Sequence, residues 1–302
     1  MLNERTGCAA RWGPLFGSGA KVWAETWEGT HGWGIPAYQH VIARVAVGPG
    51  TRVLDCGCGA GHFTHLAAAA GADVAGIDAA AEMIEIATAR APAGEFVVGD
   101  FENLPWNDDA FDVATGFSTF QFDDDKVRAL TEAGRVARHA VAVVIPTRVA
   151  ESGLTAVLSA LVPLFSPEAQ DSLQHSGINA LSGPGKLDDA LAAAGLGVHE
   201  DVDVECPSVF DGPDDAVRAF LGAGPVALAV GNVGEAAVAD EIRQAVRPLT
   251  ERDGTVTLAN WFRVILAHPE PRLPTVDSTT QPTMTGRDVK HSPKHRKRDN
   301  HA

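Results

Sequence analysis

The stretch VLDCGCGAGHF at residues 53–63 constrains the fold more than any other part of this 302-residue chain. An apolar strand runs into Asp55, glycines follow at Gly57, Gly59 and Gly61, and a helical pattern begins at once. Glycines there let the chain turn sharply and let a ligand approach the backbone with no Cβ in the way. A plain strand-to-helix turn has no use for three of them in alternation. A dinucleotide loop reads G-x-G-x-x-G, with pyrophosphate on the helix N-terminus and the last glycine allowing close helix–strand packing. Here the spacing is G-x-G-x-G, and His62 stands where that last glycine would be. Asp55, beside the loop, would repel a pyrophosphate and attract an ammonium group.

Around the loop, strand and helix patterns alternate. Strands are expected at 52–56, 72–77, 95–99, 110–117 and 139–145, with helices near 61–70, 80–90 and 123–137. That alternation marks βαβ units and a parallel sheet, and crossover handedness then gives a doubly wound α/β layer architecture. Residues 36–47 begin with Pro36 and read as a helix before the first strand. Beyond Pro146, helices are expected within 150–175 and at 186–194, 213–222 and 234–249. Strands are expected at 196–205 and, as one long final strand, at 255–268.

Two further acids sit at strand ends, where open α/β sheets bind ligands. Asp78 closes the second strand and suits a pair of ribose hydroxyls, although aspartate there also caps helices. Asp100, at the end of the third, suits an adenine amino group, and Phe101 can lie against the ring. With Asp55 facing an ammonium, this set favours S-adenosylmethionine (SAM) over NAD.

The run VLDCGCGAG, then GID with Met83 behind it, then GDFENLPWNDDAFDV, resembles the class I SAM-dependent methyltransferases, and in particular their small-molecule branch. The resemblance covers about residues 50–146. It implies a Rossmann-like sheet of seven mainly parallel strands, six parallel and one antiparallel, carried through to about residue 268. It also implies that Asp55, Gly57, Gly59 and Gly61 cradle the methionine moiety and Asp78 holds the ribose, with Cys58 and Ala79 among the cofactor contacts. Asp100 and Phe101 would hold the adenine, Phe117 and Ser118 would lie under the sulfonium, and Met83 is a further cofactor contact. Many relatives carry a Pro-Gly-Gly turn before the fifth strand, where this chain has RVARHAVAVVI.

Composition limits the alternatives. The net charge is −15, and the tail from Arg287 holds six basic residues against two acidic ones. That surplus of four leaves the rest of the chain near −19, which argues against a nucleic-acid partner. No run of eighteen apolar residues suggests a membrane span, and the N-terminus lacks the basic-then-apolar order of a signal peptide. Four cysteines, two of them (Cys56 and Cys58) one residue apart, form neither a disulfide framework nor a metal-ligand spacing. A cytoplasmic protein with reduced thiols and no bound metal is expected, and a homodimer is compatible with the sequence.

Four of the six tryptophans, Trp12, Trp23, Trp27 and Trp33, fall in residues 1–35. Such a segment can form an aromatic lid over the sulfonium or simply staple itself to the core. The expected organisation is a Trp-rich lid (1–35), a methyltransferase domain (36–268) with a substrate-binding helical insert at about 147–232, and a disordered basic tail (269–302). Substrate contacts are expected from Trp27 and Trp33, and from Phe120, Gln121 and Phe122 just beyond the fourth strand. His31 and His175 are the candidates for a general base, each with a surface or capping role as the plain alternative. The expected activity is methyl transfer to oxygen or nitrogen, less readily carbon, of a small molecule such as a secondary metabolite. The rival reading is a SAM-binding protein of the same fold without methyl transfer, either pericyclase-like or an inactive partner subunit.

Overall fold

The computed structural model describes residues 7–29 and 32–270. The first five strands are β1 (Arg52–Cys56), β2 (Asp73–Asp78), β3 (Glu95–Val98), β4 (Phe111–Phe117) and β5 (Ala137–Thr147). Two short strands, β7 (Ser208–Phe210) and β8 (Val256–Leu258), pair with each other. With β6 (Leu196–Glu205) and β9 (Trp261–Pro269), the first five form one sheet in the order β3-β2-β1-β4-β5-β9-β6. Only β9 runs antiparallel to its neighbours. This is the expected doubly wound seven-stranded sheet.

The strands are apolar on both faces because helices cover both. Val53, Val74, Val144 and Val264 point into one core, and Leu54, Ala75, Val143 and Ile265 into the other. That alternation follows from the two-residue repeat of a strand. Helices α2 (Ile35–Arg44), α3 (His62–Ala69) and α4 (Ala81–Arg90) occur at the expected places. Helix α5 (Lys126–Val136) starts where the Asp125 side chain accepts from the Arg128 N–H, a standard N-cap. It runs straight into β5 at Ala137, so the missing Pro-Gly-Gly turn is replaced by a direct helix-to-strand transition.

The N-terminal segment is a long helix, α1 (Gly7–Glu25), followed by a turn. The indole N–H of Trp12 donates to Phe122 O at 3.1 Å, and that of Trp27 donates to Ala219 O at 2.7 Å. Trp27 and Trp33 pack edge-on against Phe220 and Phe262 respectively. The segment is therefore stapled to the body, and residues 7–29 and 32–270 belong to one compact unit. Residues 271–302, with most of the expected basic tail, lie outside the described residues.

After β5 come α6 (Gly153–Leu161), α7 (Pro167–His175) and α8 (Lys186–Ala193), then α9 (Pro213–Leu221), α10 (Val226–Val233) and α11 (Glu235–Val246). The stretch expected as an insert also supplies β6, which forms an edge of the main sheet. The expected final strand is divided in two. Asn260 accepts from Ser152 Oγ at 2.9 Å and from the Leu154 N–H at 3.1 Å, and its Nδ2 donates to Leu258 O. These buried bonds break the strand between β8 and β9. Among the described residues no single helix is long and apolar enough to cross a membrane.

Candidate active site

The C-terminal ends of β1 to β4 open onto a cavity of about 780 Å³, a size typical of small-molecule sites. Gly57 and Gly59 line it, with φ of +68° and +54°. A Cβ on Gly57 would lie 2.0 Å from Thr119 Oγ1, so this turn admits no side chain. Gly61 has a different task. It does not line the cavity, and its Cβ would lie 2.8 Å from both Cα and Cβ of Ala87 on α4. Gly61 lets helices α3 and α4 pack closely, whereas the last glycine of a dinucleotide loop serves helix–strand packing.

Asp55 is 2% exposed and lines the cavity, accepting a hydrogen bond from Thr115 Oγ1 at 2.7 Å. Burial pushes its carboxyl up to about 8, against the Thr115 bond; the charges of Glu28 and Asp78 push the same way as burial. Asp78 accepts from the Gly59 N–H at 3.0 Å and the Ala80 N–H at 2.8 Å, which anchor it at the wall. Burial raises it to about 6. Cys58, Ala79, Met83, Asp100 and Phe101 also line the cavity. Ser118 takes φ +54° just past β4, and its buried Oγ has no hydrogen-bond partner among the described residues. Buried hydroxyls are rarely left so, and Ser118 faces the same cavity as Phe117.

Residues 54–145 match the methyltransferase domain family. A malonyl-[acyl-carrier protein] O-methyltransferase of Pectobacterium atrosepticum is 32% identical over 147 residues, 48% of this chain and 58% of the relative. A demethylmenaquinone methyltransferase of Thermotoga maritima is 39% identical over 87 residues, 28% of this chain and 38% of the relative. The domain is that of a class I SAM-dependent methyltransferase. The crystal structure of the YcgJ protein from Bacillus subtilis shares the fold with a TM-score of 0.53 at 21% identity, covering 78% of this chain and 99% of that one. The chain spans about half the length of the first curated relatives it matches.

SAM is the cofactor of this domain, and the cavity fits it. The glycine turn offers a backbone surface free of Cβ atoms. Acids stand at the ends of β1 and β2 and just past β3, and Phe101 offers a ring face beside Asp100. Beyond this end the cavity widens into an apolar chamber. Trp12 and Phe16 of α1, Leu158 of α6, Phe165, Leu173 of α7 and Phe220 of α9 form its walls. Trp27 and Trp33 line the cavity while also packing in the core.

Two expected substrate residues are misplaced. Phe120 and Gln121 are 1% and 0% exposed and do not line the cavity. They sit in a 3-10 turn, Phe120–Phe122, which packs the Phe120 ring over Gly116 and leaves Phe122 alone of the three to line the cavity. His175 stands at the chamber rim with a side chain 75% exposed, its Nδ1 2.8 Å from Asp171 O. His31 lies outside the described residues.

Sequence reasoning missed Glu28. It lines the cavity, is 7% exposed, and forms an ion pair with Arg90 of α4 at 2.6 Å. Its neighbours in sequence, Trp27 and Gly29, carry no motif that points to a site. Also unannounced by spacing, Asp100, Glu102 and Asp123 bring carboxylate oxygens within 4.8 Å of one another.

Proposed function

We propose that this chain transfers the methyl group of SAM to an oxygen or nitrogen atom of a small, neutral and largely apolar acceptor. The observation that carries this reading is a single cavity that runs from the glycine loop of the methyltransferase domain into an aromatic chamber. When bound, SAM supplies an activated methyl group, so the protein's task is proximity and alignment. Asp55, Asp78 and Asp100 hold one end of the cavity against the cofactor. Ser118 and Phe117 stand where β4 ends, between that end and the chamber. Trp12, Phe16 and Phe122 of the chamber keep water away from a reaction in which charge is dispersed.

Two relatives are named for acting on malonyl-[acyl-carrier protein] and demethylmenaquinone. A free carboxylate acceptor would meet Asp55, Asp78, Asp100 and Asp123, with Lys186 the one lysine or arginine lining the cavity among the described residues. That balance supports a neutral acceptor. The test is single-turnover reaction of the SAM-loaded protein with a panel of aromatic and alicyclic alcohols, amines and carboxylates. S-adenosylhomocysteine should form in step with methylated product for a neutral member. If a carboxylate is the preferred acceptor, the substrate class is wrong. If an acceptor is turned over with no S-adenosylhomocysteine formed, the fold is serving chemistry other than methyl transfer.

His175 is three-quarters exposed and its Nδ1 is engaged by Asp171 O, so positioning rather than base catalysis should dominate. His175→Ala should slow single-turnover transfer by less than about tenfold, whereas a true general base contributes about 10²–10⁴-fold. A thousandfold loss with cofactor affinity intact would identify His175 as the base.

A further inference from the structure

The N-terminus of a helix in this kind of fold is a ready anion site, because its first N–H groups have no partner within the helix. In this chain that site is already filled. Glu28 Oε1 accepts from the Ala60 N–H at 2.9 Å, and Oε2 accepts from the His62 N–H at 3.0 Å. The indole N–H of Trp23 donates to Oε1 at 2.8 Å and Arg90 Nη1 to Oε2 at 2.6 Å. Of the loop amides beside them, Gly59 N–H goes to Asp78 and Gly61 N–H to Cys58 O. Protein carboxylates thus take the amides that would otherwise receive a phosphate. A Cβ on Gly59 would lie 2.5 Å from Glu28 Oε1, so the middle glycine of the loop is what lets this carboxylate come so close.

Carboxyl groups outnumber cations at this end, and a bound cation draws the proton off Asp55. Glu28, Asp55 and Asp78 face the cavity, and Arg90, the cation beneath Glu28, does not line it. The basic side chains that do line the cavity, Lys186 and His175, lie on α8 and α7. We propose that Glu28 is a specificity residue of the SAM site: it fills the anion-binding end of α3 with the protein's own carboxylate and makes that end of the cavity a seat for a cation. The cation is the α-ammonium of the cofactor, so the inference rests on the SAM reading. Glu28 acts by placing charge, not by touching the reacting atoms.

The test is binding, independent of any acceptor. Affinities are measured by titration calorimetry for S-adenosylhomocysteine and for its analogue with hydrogen in place of the ammonium group. The native protein should prefer the ammonium-bearing ligand by about tenfold or more, and Glu28→Gln should shrink that preference at least about fivefold. A merely structural role would weaken both ligands alike and leave the ratio unchanged, which would overturn the proposal while sparing the cofactor reading. Failure of the native protein to bind either ligand would overturn both. If circular dichroism shows Glu28→Gln unfolded, Arg90→Gln makes the opposite change by removing the compensating cation. The preference should then rise at least about threefold, and an unchanged or smaller ratio would overturn the proposal.

Discussion

Binding of S-adenosylhomocysteine should weaken steeply as pH falls from about 8 toward 6, approaching tenfold per pH unit. The cause is Asp55, whose burial raises its carboxyl to about 8. At pH 7 the free protein therefore holds a proton on this group, and an ammonium ligand must displace it. Asp78, raised to about 6, adds a second proton to displace at the acid end of the range. Above about pH 8 the ligand's own amino group loses its charge, since α-amino groups titrate near 7.7–8.0. Affinity should accordingly pass through a maximum near pH 8. Calorimetry in buffers of different ionisation heat should show proton release at pH 7. Asp55→Asn should flatten the acid limb and weaken binding at pH 8 by about ten- to a hundredfold, the loss of a charge-assisted hydrogen bond worth about 1.5–3 kcal/mol. A pH-independent dissociation constant in the native protein would remove Asp55 from the ammonium site.

The same group links pH to the stability of the free protein. Its folded pKa of about 8 stands above the ordinary 3.8, so the folded state holds a proton that the unfolded chain gives up. The contribution of Asp55 to stability is fully present below pH 3.8 and is lost as pH rises through about 8. A bound cation reverses this, because it favours the ionised carboxylate. Cofactor should therefore raise the melting temperature more at pH 8 than at pH 6.

Much of the cofactor end was legible because its logic is local. A strand, an acid and three glycines within nine residues state a turn, a charge and a close approach. Asp78 and Asp100 follow at the ends of the next two strands, in the order the βαβ topology requires. What was not legible depends on distant contacts. Glu28 reaches the loop across 32 and 34 residues to Ala60 and His62, and nothing in the text around it has a period or a motif. Phe120 and Gln121 were placed by proximity to β4, but a single 3-10 turn decides which side chains face the chamber. The long final strand has an unbroken β pattern, yet the buried bonds of Asn260 outweigh that preference. The three-residue strand β7 is too short for alternation to show.

Gly61 was read from sequence as part of the cofactor cradle, and its actual role gives the second large effect. Gly61→Ala should destabilise the fold severely while leaving cofactor affinity nearly unchanged in the folded fraction. At φ +84° a residue with Cβ costs about 1–2 kcal/mol. The added methyl would also lie 2.8 Å from the backbone of α4 at Ala87, where nothing can swing aside. Forcing packed elements apart costs typically about 1–3 kcal/mol more. For a unit of this size each kcal/mol shifts the melting temperature by roughly 2–4 °C, so a fall of about 5–15 °C is expected. Gly50 separates the two causes, because it has φ +85° and nothing within 4 Å of a built Cβ. Gly50→Ala should show the conformational cost alone, and the difference between the two variants measures the α3–α4 contact. Adding Ala87→Gly to Gly61→Ala removes one of the two clashing atoms and should recover part of that difference. If Gly61→Ala is no worse than Gly50→Ala, the close approach of α3 to α4 is not what this glycine serves.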